Sequence, residues 1–143
     1  MSTATLAAPT VAADPSLTRL HLMRAGYLLM GVGLVLVKWP LLPGAHDRPL
    51  YEGVTICILT AMSLFAFLGL RYPVKLLPLL LLESVWKLLW LSVVALPEAV
   101  SGRLDADMAE VAVNCSLVVL ILAVIPWSHV WSTYVRADGD RWR

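Results

Sequence analysis

The stretch Leu76–Leu96, LLPLLLLESVWKLLWLSVVAL, constrains this chain more than any other. As an α-helix its roughly 21 residues rise about 31 Å, close to the ~30 Å hydrocarbon core of a bilayer. Glu83 and Lys87 interrupt it near its midpoint, where insertion scales put the cost of a charge at ~2.5–3.5 kcal/mol. A helix of this kind needs neighbours that cover its charged side, so the rest of the chain must supply them.

It does so with three further apolar segments. The spans are read at about 17–39, 51–70, 74–96 and 108–130, which gives an all-α integral membrane bundle of four transmembrane helices with short loops. The first carries Arg24 and Lys38 at its edges to snorkel, and Gly26 and Gly33 on one face for close helix approach. Pro40 and Pro43 end it. The turn Arg71–Lys75 is short enough to make the second and third helices antiparallel neighbours. Pro73 suits a first helical position, and Pro78 one turn later is expected to kink the third helix mildly. Pro97–Asp107 reads as an acidic loop turning at Gly102. Trp127, Trp131 and Tyr134 read as an interfacial belt.

Composition agrees. The chain is 59% hydrophobic and only 15% charged, against ~25% charged in soluble domains. A net charge of +1 argues for no nucleic acid among its partners. Residues 1–16 are small, polar and proline-interrupted, the composition of a disordered tail, without the basic and apolar blocks of a signal peptide. Residues 135–143 form a polar C-terminal tail after the 17–134 membrane domain.

Cations set the expected orientation. Arg19, Arg24, Arg71, Lys75, Arg136, Arg141 and Arg143 fall on one side of a four-span chain, and Lys38, Arg48 and Arg103 on the other. Seven against three predicts cytoplasmic termini and a plasma (inner) membrane location.

The candidate site lies on the third helix. At 100° per residue Glu83, Trp86, Lys87 and Trp90 occupy about 100° of arc, with the acid four residues before the base, the favourable order for a pair. Indole N–H groups in hydrocarbon need acceptors, and Glu83 is one; an indole face beside Lys87 adds a cation–π attraction. Asn114 and Ser116 of the fourth helix either reach towards this face or make ordinary interhelical hydrogen bonds. A self-paired Glu–Lys is read in two ways. It is a neutralised structural pair facing the bundle interior, or it is the polar end of a ligand pocket or proton relay.

Other features carry less. Cys57 and Cys115 lie at matching depths, which admits a thiol pair, although a buried cysteine usually acts as a small apolar residue. The acidic rim of His46, Asp47, Glu52, Glu98, Asp105, Asp107 and Glu110 matches no ligand motif and reads as a solvated face, so no metal is expected. No nucleotide loop, nucleophile elbow or triad is present, and no catalytic residue is assigned.

The run LRYPVKLLPLLLLESVWKLLWL (Leu70–Leu91), with IPW at Ile125–Trp127 and the GDRWR ending, resembles a group of small four-helix bacterial inner-membrane proteins without an assigned activity. The first helix, with Gly31 and Gly33 before Lys38, is similar to DoxX-like membrane proteins. That resemblance implies quinone-linked oxidation in some relatives and transfers no site residue. The class of function expected is a binding or accessory protein using the Trp/Glu/Lys face. The alternatives are a small proton-coupled transporter and a quinone-linked redox subunit. No cofactor is assigned; a quinone or lipid is the ligand type such a face admits. The partners expected are the lipid bilayer and a homo-oligomer or partner membrane subunit.

Overall fold

The computed structural model describes residues 15–137. Both tail readings, Arg141, Arg143 and the GDRWR ending lie wholly or largely outside them. Four of the described helices are long and apolar enough to cross a membrane: Leu17–Leu41, Leu50–Arg71, Leu77–Val100 and Ala106–Val124. The chain is an all-α, multi-pass membrane bundle. Most large apolar side chains lie on its outside, among them Leu36, Leu64, Phe65, Leu82, Val93, Val113 and Val119. In water such a surface would aggregate; in a bilayer it is the solvated face.

The helices alternate in direction, and side chains at one end show how they are tied. Arg19 at the start of the first helix donates to the Ala123 carbonyl at the end of the fourth (3.1 Å). Arg24 donates to the Leu70 carbonyl at the end of the second (3.1 Å). Cations at helix C-termini satisfy orphan carbonyls and oppose the helix dipole. Tyr27, fully buried, donates its hydroxyl to the Pro73 carbonyl (2.8 Å), where the chain turns into the third helix. Its ring lies against Gly69 so closely that a Cβ there would stand 2.5 Å from it. Around this tyrosine the core is Met23, Met30, Ala66, Leu77, Leu80, Ile121 and Ile125. The end of the bundle that carries the termini is thus filled.

Several boundaries differ from expectation for identifiable reasons. The third helix begins at Leu77, with Pro78 in its first turn, where a missing N–H costs nothing. Pro78 therefore starts the helix and does not kink it, and Pro73 belongs to the preceding turn. The same helix widens into a π turn at Leu91–Ala95 and runs on through Pro97 to Val100, so only the residues after Val100 form the loop. Gly102 is the turn point, at φ 70°. The fourth span stops at Val124 because Pro126 holds Ile125 extended (φ −64°, ψ 128°). Residues Trp127–Val130 and a π turn Trp131–Arg136 follow as a separate piece, with Trp127, Trp131 and Tyr134 exposed.

The fourth helix is itself in two parts, Ala106–Ser116 and Val118–Val124. At the joint, Leu117 N–H bonds to the Asn114 carbonyl and Leu120 N–H to the Leu117 carbonyl, three residues back in place of four. Ser116 turns its hydroxyl onto the Ala112 carbonyl (2.7 Å), a back-bond that bends helices. Ser116 therefore bonds within its own helix and, among the described residues, makes no interhelical hydrogen bond.

Candidate functional site

Glu83 is 1% exposed and Lys87 8% exposed, at the middle of the third helix, facing into the bundle. The ammonium Nζ sits 3.0 Å from Glu83 Oε1. The other carboxylate oxygen, Oε2, accepts a hydrogen bond from the Trp86 indole Nε1–H (2.7 Å). The Trp86 ring centroid is 5.7 Å from Nζ, within cation–π range. Acid, base and indole are thus joined at i, i+3 and i+4 of one helix, and regular helix geometry alone builds the cluster.

A carboxylate only accepts, and each Glu83 oxygen has one donor beside it. An ammonium has three donors, and among the described residues Lys87 forms one ion pair, with Glu83.

These groups border a cavity of about 290 Å³ between the first, third and fourth helices, with Leu59 closing it from the second. Glu83, Trp86 and Lys87 form one wall and Asn114 and Cys115 another; Met30, Leu34 and Ile121 supply aliphatic surface. The volume lies near the lower limit of small-molecule pockets, roughly 300–1,000 Å³. Its origin is the jointed fourth helix. The first helix packs along Val118–Val124 and draws away from Ala106–Ser116, and the gap so formed reaches Lys38 and Glu110 at the end remote from the termini.

Of the residues singled out by sequence, Glu83, Trp86, Lys87 and Asn114 border this one cavity, and Trp90 does not; it is half-buried one turn further along. The Asn114 side chain is exposed and makes no hydrogen bond among the described residues, so of its two readings the interhelical hydrogen bond is not seen there. The expected role of Gly33 also changes. Gly26 does meet a neighbour, Val124, but a Cβ on Gly33 would meet nothing within 4 Å, and Gly33 borders the cavity. The cysteines do not pair: Cys57 is exposed on the outside of the bundle and Cys115 is buried at the cavity wall. Among the described residues no three metal-ligating side chains come together.

Met30, Leu34, Lys38, Glu110 and Leu117 were not marked as site residues by sequence. Their side chains are ordinary for a membrane helix, and only the separation of two helices gives them a shared space. The chain matches no protein-family model, no curated protein and no solved structure.

Proposed function

We propose that this protein binds an apolar molecule drawn from the bilayer, holding it between the first, third and fourth helices with its polar end near Glu83, Lys87 and Asn114. The observation that carries this reading is the cavity itself: aliphatic walls with a few convergent polar groups are the usual build of a small-molecule site. Trp86 and the ion pair make the Trp/Glu/Lys face its polar wall. The positive-inside count puts the termini in the cytoplasm and the cavity's Lys38–Glu110 end towards the other side of a plasma membrane.

The transport reading is supported less well. The end of the bundle near the termini is occupied by Met23, Tyr27, Leu77, Leu80 and Ile125, and a through-path would have to displace them. The quinone-linked redox reading rests on the resemblance of the first helix alone.

Gly33→Leu tests the binding reading. A Cβ at this position, on the cavity's edge, meets nothing within 4 Å, and replacing a helical glycine adds up to about 1 kcal/mol of helix propensity. Mass spectrometry of gently purified protein is expected to find a co-purifying apolar molecule on the unmodified chain and none on Gly33→Leu. The variant should melt no earlier in detergent. Equal occupancy of the two proteins would overturn the reading; a quinone as the bound molecule would move it to the redox alternative.

A further inference from the structure

We propose that an anionic phospholipid docks on the outside of the bundle where the second helix turns into the third. Its phosphate lies on Arg71 and Lys75, and one acyl chain runs in the groove below them. This site is separate from the cavity and does not rest on the binding reading above.

Charge at this end of the bundle is one-sided. Arg19, Arg24, Arg71, Lys75 and Arg136 lie there, and among the described residues no carboxylate does. With Asp14, Asp138 and Asp140 of the tails added, seven arginines and lysines still stand against three acids. Arg19 and Arg24 are engaged by the Ala123 and Leu70 carbonyls. Arg71 and Lys75 are exposed, and the ion pairs of the described residues all lie elsewhere. One aromatic ring gathers these two: the Arg71 guanidinium is 5.5 Å and the Lys75 ammonium 5.6 Å from the Tyr72 centroid, in cation–π range. The turn that carries them is tied down. Tyr72 N–H bonds to the Leu68 carbonyl, Leu76 N–H to the Tyr72 carbonyl, and the Tyr27 hydroxyl to the Pro73 carbonyl. Two like charges gathered at one ring repel, and a phosphate diester shared between them offsets the repulsion with charge-assisted hydrogen bonds.

A groove makes that phosphate part of a lipid. Lys75 also lines an open, apolar groove of about 250 Å³ whose other walls are Phe65, Leu76, Pro78, Leu79 and Leu82. Phe65 lies six residues before Arg71 and Leu82 seven after Lys75. At 1.5 Å per residue the groove therefore reaches about 10 Å into the hydrocarbon below the cations. It opens because the second helix packs mainly along the first and little on the third, which leaves a wedge between them on the lipid side. A soluble phosphate would use the cations and leave the groove empty. A zwitterionic lipid would fill the groove but bring a cation of its own to Arg71 and Lys75. An anionic diester lipid uses both parts, and basic side chains next to a membrane helix are suited to such headgroups.

The full chain, purified in a neutral detergent, is titrated with dioleoylphosphatidylglycerol or dioleoylphosphatidylcholine, and bound lipid is counted by native mass spectrometry. Phosphatidylglycerol is expected to bind more tightly. Arg71→Gln and Lys75→Gln should each weaken it about fivefold, the factor one cation contributes at an anionic lipid surface, and leave phosphatidylcholine binding unchanged. Arg136→Gln, which removes a cation of the same end that does not line the groove, should leave phosphatidylglycerol affinity unchanged. Phosphatidylglycerol carrying a mid-chain diazirine should label Phe65 or the stretch Pro78–Leu82 on illumination, and an equal concentration of glycerol 3-phosphate should not displace it. Equal affinity for the two lipids, or an effect of Arg136→Gln as large as that of Lys75→Gln, overturns the proposal. Displacement by glycerol 3-phosphate overturns it in favour of a soluble phosphate, and labelling at Leu34 or Ile121 overturns it by placing the chain in the interior cavity. The two-lipid comparison on the unmodified protein decides the matter even where a charge variant does not fold.

Discussion

Glu83 accepts from two donors that its own helix supplies, so the pair can form before the bundle closes. This separates two costs that usually arrive together. Removing Lys87 alone, as Lys87→Met, leaves a buried carboxylate with only the indole, and breaking a buried pair in this way costs about 3–5 kcal/mol. Removing both charges, as Glu83→Gln/Lys87→Met, retains an acceptor for the Trp86 N–H and should cost much less. Denaturation midpoints of the two variants in one detergent are expected in that order, with the double variant closer to the unmodified protein. If both melt alike, the pair is not holding its charges against each other. Sequence reasoning reaches this cluster because it is local: the i, i+3 and i+4 spacing of Glu83, Trp86 and Lys87 is already three-dimensional information. Trp90 shares the arc and not the cavity, since an arc on a helix gives direction but not how far the neighbouring helix stands away.

Helix pairs depend on what is absent as much as on what is present. Gly69 exists as glycine because the Tyr27 ring occupies the space of its side chain, and Tyr27 is fixed in turn by its bond to the Pro73 carbonyl. Gly69→Ala should therefore force the ring or the second helix to move, at about 1–3 kcal/mol for an overpacked contact. The thermal midpoint in detergent should fall, whereas Gly44→Ala, with nothing within 4 Å, should leave it unchanged. The four spans were legible from hydropathy and the loops from proline and glycine. The π turn and the jointed fourth helix were not. Both contain a serine bonded back onto its own helix, Ser92 on the Leu88 carbonyl and Ser116 on the Ala112 carbonyl. Yet Ser84 does the same on Leu80 inside the regular segment Leu77–Trp90, so the residue type alone does not announce a break. The cavity went unseen for the same reason: it is made by the joint, and the joint has no proline or glycine to mark it.

Across the whole molecule, Arg19, Arg24, Arg71, Lys75 and Arg136 lie near one end of the bundle and Lys38, Arg48 and Arg103 near the other. The proposed orientation follows from that bias and is checked with reporters. A fluorescent protein fused after Arg143 should be bright and an alkaline phosphatase at the same place inactive; the phosphatase inserted between Asp47 and Arg48 should be active. The reverse pattern would place the cavity's Lys38–Glu110 end in the cytoplasm. The two halves of the fourth helix differ in what they pack against. The segment Val118–Val124 is packed against the first and third helices, whereas Ala106–Ser116 has the cavity on one side, and the two meet at Leu117. On the binding reading proposed above, an occupant would bear on Ala106–Ser116, the half of the fourth helix remote from the tyrosine-centred core.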